Sequence, residues 1–341
     1  MRTKKIQNTL IGLAVGDSLG WPAIYHRSHL FPFWTRRLRR DIDYESESKN
    51  VIRPLVPFSL NISQEPFEIG PSHNTEWSAF ILKMHLNKSD NKEQTIKDYW
   101  RELLKDRGEI KSGISVIAAL NNMYKGIMPP ASGHDNPHYF DDAAVIRAIT
   151  IGALNPGKPK KAIELVDIDG SVTNSEDGLW AAKGISAAIS IGVDGGSVEE
   201  MEKVLIDQLP EDSWIYYNFK QAMNIIEKSE NIFVALPELA DKISQSIYSY
   251  GAAAPETLPI AFAIFKMNSE NIKDAITSST SLARTAETVP AIVGALAGSY
   301  SSSGSYLNSW GDRLKILKGI SIPKYEGVNY FELIESNIDE I

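Results

Sequence analysis

Apolar residues recur along the chain at three- and four-residue intervals, the spacing of one helix face. Ile6, Leu10 and Leu13 mark the first such face. Gly12, Gly16 and Gly20 repeat every four residues beside it and would let another backbone come close; Trp21-Pro22 is expected to end this helix. The periodicity returns at Trp77, Phe80, Ile81 and Met84. It predicts further helices over 92–105, 112–125, 142–154, 176–192, 197–208, 212–228, 231–248, 256–268 and 271–280. A last one runs through Val289, Ile292, Val293, Leu296 and Tyr300. Strand-like alternation is confined to a short stretch at Ile320–Ile322. An all-α chain with a large core follows. No linker divides it, so residues 1–341 are expected to form a single domain, and no fixed-period repeat points to a solenoid.

Residues 26–71 break the pattern. His26-Arg27 and Arg36, Arg37, Arg39 and Arg40 are mixed with Phe31, Phe33 and Trp34, and Asp41, Asp43, Glu45 and Glu47 follow. Pro54, Pro57, Pro66 and Pro71 then punctuate the chain. An ordered but irregular insertion is expected here. Basic-aromatic segments can bind nucleic acid, but acidic residues follow at once, which favours a surface helix with internal ion pairs.

Composition narrows the function classes. The chain has 35 Lys plus Arg against 43 Asp plus Glu, a net charge of −8. That balance gives no general drive toward nucleic acid or acidic membranes. Cysteine is absent, which removes disulfides, thiolate metal sites and cysteine nucleophiles. The apolar stretch after the basic Met1–Lys5 is broken by Asn8, Thr9 and Asp17, so no signal peptide is expected. No run reaches the roughly 18 apolar residues of a membrane span. A cytoplasmic location is the expectation.

Candidate chemistry gathers where helices are predicted to begin. Ser72-His73-Asn74-Thr75-Glu76 precedes Trp77, and Asp141-Asp142 precedes Ala143. Thr173-Asn174-Ser175-Glu176-Asp177 precedes Gly178, and Arg284-Thr285-Ala286-Glu287-Thr288 precedes Val289-Pro290. Two readings stand side by side. Such residues cap helices, and Thr173 to Glu176 has the form of a capping box. Alternatively, the helix N-termini converge on one ligand site.

The order of these segments resembles the ADP-ribosylglycohydrolases of the dinitrogenase-reductase-activating type. Gly12-Leu13-Ala14-Val15-Gly16-Asp17-Ser18-Leu19-Gly20-Trp21-Pro22 is similar to their opening helix. Ser72-His73-Asn74-Thr75-Glu76-Trp77 stands where that family has Thr-Asp-Asp-Thr-Glu-Met. Ala143 to Leu154, with Arg147, resembles the family's Gly/Ala-Met-Arg helix. Thr285 to Gly298 resembles its Asp-Thr-Asp-Thr helix and Gly-Ala-Leu-Ala-Gly tail. The resemblance implies a compact orthogonal helical bundle in one domain, holding two magnesium ions and an ADP-ribosyl group.

It also implies metal positions at Ser72, His73, Asn74, Thr285, Glu287 and Thr288. At the four acid positions among them, only Glu287 is a carboxylate. Magnesium or another divalent ion is therefore weighed equally against no metal at all. Many family members have a Glu where this chain has Ile24, with Tyr25 and His26 as unproven neighbours. Glycoside cleavage needs an acid and a base or nucleophile. Glu287 and Asp141 are the candidates for these roles, with Asp142, Asp169 and Asp177 as further acids nearby. Asp17, Asn74, Asp142, Asn174 and Arg284 are the candidates for substrate binding, although Asp17 at a helix end equally fits a structural role. His134 and His138 flank a loop in which Pro137 prevents one regular helix from carrying both, so a covering or surface loop is expected there. The expected activity is a diverged hydrolase cleaving a glycosidic bond of an ADP-ribosyl, ribosyl or related sugar. The alternative is an inactive member that binds a nucleotide- or sugar-like ligand, or a helical interaction scaffold. No nucleic-acid or membrane partner is expected.

Overall fold

A computed structural model describes residues 2–28, 70–87, 89, 91–244, 250–282, 284–301 and 303–340, with the backbone alone for 21–28. The helices are α1 (Arg2–Ser28), α2 (His73–His85), α3 (Lys92–Lys105), α4 (Ile114–Tyr124), α5 (Ala131–His134), α6 (Ala143–Ala153), α7 (Pro159–Gly170), α8 (Glu176–Asp194) and α9 (Val198–Ile206). They continue as α10 (Trp214–Lys228), α11 (Ile232–Lys242), α12 (Ala254–Met267), α13 (Ile272–Ser279), α14 (Val289–Tyr300), α15 (Ser305–Asn308), α16 (Gly311–Leu314) and α17 (Tyr330–Ile338). The chain is all-α: among the described residues, β structure amounts to two isolated bridges, Asp141 with Ala253 and Ile316 with Asn329.

Every helix expected from periodicity is present. The first runs on to Ser28 instead of ending at Trp21-Pro22; proline has a helix-compatible φ and removes one donor, so backbone can pass through it. The irregular insertion expected at 26–71 falls almost wholly outside the described residues. Ile320–Ile322 is not a strand. Its three backbone N–H groups instead bond to the Glu76 carboxylate, at 2.7, 2.7 and 2.9 Å. Glu76 is fully buried on α2, so one acid pins the segment before α17 to the core. Two substantial helices, α7 and α17, were not expected.

The central contact joins α1 to α14. The two lie antiparallel in a fixed register. A Cβ added to Gly12 would collide with the Gly294 carbonyl, one on Gly16 with that of Pro290, and one on Gly20 with that of Ala286. One on Gly298 would strike the carbonyl of Asn8. Backbone therefore meets backbone at every turn over four turns, which only glycine permits. α8 crosses behind this pair, packed against α6, α7, α9, α12 and α14. One continuous apolar core runs from Ile6 to Ile334.

The register makes a sharp expectation. Gly294→Ala should destabilise the fold by about 3 kcal/mol or more, since neither backbone can yield locally. Gly108, with nothing within 4 Å of its added Cβ, is the control. Gly108→Ala should stay within about 1 kcal/mol of wild type in urea denaturation.

Candidate functional site

The α1–α14 contact brings the residue after Gly16 to the start of α2. Asp17 is fully buried. Its Oδ2 accepts from the backbone N–H of Ser72 at 2.8 Å, the N–H of Thr75 at 3.0 Å and the Thr75 hydroxyl at 2.6 Å. One helix thus caps another, while Asp17 Oδ1 has no partner. Burial raises the Asp17 carboxyl above its ordinary range, against the pull of His73 and these hydrogen bonds.

The helix starts separate into two groups. Asn91, Ser197, Ser213, Asn231, Asn271 and Asn329 each cap their own helix through the side chain, as such residues normally do. Ser72, Asp142, Ser175 and Thr288 hold the same position on α2, α6, α8 and α14, yet none caps with its side chain. The capping box expected at Thr173 to Glu176 does not form; the chain enters α8 through Glu176 at φ 44°, a left-handed conformation costing about 1–2 kcal/mol in a non-glycine residue. Ser72 Oγ and His73 Nδ1 are buried with no hydrogen-bond partner.

Three of these helix starts adjoin. His73 Nε2 lies 3.9 Å from Glu287 Oε1, and the Asn74 amide donates to the Glu287 carbonyl at 2.9 Å. Glu287 remains partly open, with 23% of its side chain exposed. Asp142 is buried beside it. Burial, then the charges of Asp141 and Glu287, push the Asp142 carboxyl well above the usual carboxylate range. The Thr257 and Thr288 hydroxyls oppose this without cancelling it. Glu287 and Asp142 are thus two neighbouring carboxyl groups in contrasting surroundings.

Asp141 has a different place. Its carboxylate accepts from the Ser115 N–H, the Ser115 hydroxyl, the Ala143 N–H, the Asn174 amide and the Tyr250 hydroxyl, at 2.6–3.2 Å. With five donors on two oxygens and 1% exposure, it is saturated. Burial and the adjacent acids push the Tyr250 phenol far above its ordinary range, so it stays a donor.

A buried network supports Asp141 from behind. Asn174 also donates to the backbone carbonyls of Tyr139 and Asp141 and accepts from the Thr173 hydroxyl at 2.6 Å. Thr173 accepts from Arg147 at 2.8 Å, and Arg147 pairs with Asp169 at 2.7 Å. The Trp100 indole donates to the second Asp169 oxygen at 2.9 Å, and its ring lies 5.0 Å from the guanidinium. Arg147, the residue that marks the family-like helix, is therefore fully buried and structural.

The other candidates divide. Arg284 is held bidentately by buried Glu256 at 3.0 and 3.2 Å and donates to the Tyr250 carbonyl. Thr285 is buried, its hydroxyl donating weakly to the Leu282 carbonyl at 3.4 Å. Asp177 caps α10 through the Ile215 N–H at 2.9 Å. His134 points outward beside Asp135, whereas His138 packs on Tyr250 with ring centroids 4.4 Å apart. The two histidines are not a ligand pair. The side chains of Ile24, Tyr25 and His26 lie outside the described residues. Sequence reasoning missed Tyr250 and Thr257, because neither stands in a motif; only the fold brings them to Asp141 and Asp142.

A profile of the family described as ADP-ribosylglycohydrolase matches residues 1–320. The chain belongs to the ADP-ribosylglycohydrolase family. Among solved structures, an ADP-ribosylglycohydrolase-related protein complex shares the fold, with a TM-score of 0.59 at 16% identity, over 99% of this chain and 96% of the other. Comparison with curated proteins finds no match. The family resemblance implies two magnesium ions at Ser72, His73, Asn74, Thr285, Glu287 and Thr288. This donor set does not fit them. It holds one carboxylate, that of Glu287. Among the described residues, no group of three or more His, Asp or Glu is arranged to hold a metal. Mg²⁺ wants near-octahedral oxygen ligands with carboxylate charge.

The Arg147 network makes its own prediction. Asp169→Ala leaves the guanidinium buried and unpaired, and should cost about 3–5 kcal/mol in urea denaturation. Replacing both partners, as Arg147→Met with Asp169→Leu, should recover a large part of that loss.

Proposed function

We propose that this chain is a hydrolase that cleaves the glycosidic bond of a ribosyl or ADP-ribosyl substrate, with Glu287 and Asp142 as its acid–base pair. The observation that carries this reading is the pairing of a buried Asp142, its carboxyl pushed well above the usual range, with a partly open Glu287. Glycoside hydrolysis uses two carboxyl groups whose surroundings push them to opposite protonation states. Asp142 would give its proton to the leaving group. Glu287 would balance the positive charge developing on the sugar, or activate water against it. Asp141, expected to be the acid, has no lone pair left for a substrate proton; its five donors suit it to positioning Tyr250 and the start of α6. Asn74 and His73 would orient the sugar beside Glu287. Asn174 and Arg284 would support the site from within the fold rather than touch the ligand.

A binding-only role is the second reading, favoured by the loss of carboxylates at the family's metal positions. The two part on turnover. Wild-type protein should release ADP-ribose from N-linked or O-linked ADP-ribosyl peptides. Glu287→Gln and Asp142→Asn should each lower that rate by about 100-fold or more. Saturable binding of ADP-ribose with no release from any such glycoside would establish the binder instead.

Stability gives an independent check on Asp142. Its folded-state pKa is raised, so between the ordinary carboxyl value and that raised value the folded chain binds more protons than the unfolded one. Stability contributed by the neutral form is full below the ordinary value and is lost as pH rises through the raised one. Asp142→Asn should therefore gain on wild type with rising pH, reaching about 1–3 kcal/mol in pH-dependent thermal melts. A variant that gains stability while losing turnover marks a group retained for function.

A further inference from the structure

Ser72, His73 and Asn74 at the start of α2 face Glu287 and Thr288 ahead of α14. The two groups are joined by the 3.9 Å approach of His73 to Glu287 and by the Asn74 hydrogen bond to the Glu287 carbonyl. Thr257 and Asp142 complete the cluster from α12 and α6. Two of these side chains, Ser72 and His73, keep a buried polar atom without a protein partner, Oγ and Nδ1, while the Thr257 and Thr288 hydroxyls lie against the Asp142 carboxyl. Buried polar atoms are almost always paired, and each unpaired one costs about 1–3 kcal/mol. A pair of them is therefore a set of hydrogen bonds kept for something else.

The chemistry of the set says what. A divalent cation takes lone pairs only, and prefers carboxylates. Even a softer metal at its catalytic sites takes three protein ligands, and among the described residues no three His, Asp or Glu are arranged to hold one. Hydroxyl and imidazole groups both donate and accept. Their natural complement is another group that does both, the hydroxyl of a sugar. We propose that this site grips sugar hydroxyls by direct hydrogen bonds, with no divalent metal between protein and ligand. The sugar half rests on the glycosidase reading; the metal half stands without it.

Calorimetry on the full chain tests both halves. After EDTA treatment, wild-type protein is titrated with Mn²⁺ and Zn²⁺ at millimolar concentration, then with ADP-ribose in EDTA and in Mn²⁺. The expected result is no uptake of either metal, and an ADP-ribose affinity that differs less than about twofold between the two buffers. A triple variant, His73→Asp with Asn74→Asp and Thr285→Asp, puts carboxylates back and should gain Mn²⁺ binding. Stoichiometric metal uptake by wild type that is lost in Glu287→Gln overturns the proposal. So does a tenfold or greater loss of ADP-ribose affinity in EDTA. A folded triple variant that takes up no Mn²⁺ also overturns it, because these side chains are then not what excludes the metal. Where the triple variant does not fold, Asn74→Asp and the wild-type titration decide. Failure of ADP-ribose to bind in either buffer sinks the glycosidase reading and the sugar half together, and leaves the metal titration to judge the rest.

Discussion

Backbone-to-backbone contact between α1 and α14 is the constraint on which everything else hangs. Gly12, Gly16, Gly294 and Gly298 remove the side chains that would hold the two helices apart. Close-packed backbones gain dispersion contact along the whole interface and fix a single register, because the neighbouring positions carry side chains that would collide. That register carries Asp17 and the residues before α14 to the same end of the helix pair. Asp17 then seizes the start of α2, and Asn74 on α2 reaches the Glu287 carbonyl. The candidate site is in this sense the open end of a glycine-lined joint.

A second layer of constraint comes from buried charge. Asp169, Arg147, Thr173, Asn174 and Asp141 form one chain of hydrogen bonds from the core at Trp100 to the edge of the site. A buried ion pair contributes little net stability over apolar residues of equal size, but breaking it is costly. Its effect here is to fix orientation. The carboxylate of Asp141 is locked from several sides, while burial pushes the carboxyl of Asp142, its neighbour in sequence, well above the usual range. Adjacent aspartates thereby come to lie in contrasting surroundings.

Much of this was legible in the sequence, and the reasons differ by element. The helix Lys92–Lys105 was found at its true ends because it is half buried, with Ile96, Trp100 and Leu103 on one face. α7 escaped because Ala162 and Val166 are its only fully buried apolar residues, too few to show a period. The segment 320–322 looked like a strand because Ile320, Ser321 and Ile322 alternate apolar and polar, but the backbone bends there so that three successive amides converge on Glu76. The helix starts are polar clusters, but they differ in use: Ser197 has Glu200 three residues on and completes a capping box, whereas Ser72 has Thr75 there, whose N–H and hydroxyl go to Asp17 instead. Arg147 shows the converse: the residue that marks the family-like helix proves to be an interior strut.

The joint between α1 and α14 also bears on how the molecule comes into being. A nascent chain presents the glycine-lined face of α1 early, and its partner emerges only after nearly the whole intervening sequence has been made. At ~5–20 residues per second, that interval is on the order of 15–60 s. The joint, and the site at its open end, can therefore close only once the chain through α14 has been made, and Glu76 meets its three amides only once residues 320–322 follow.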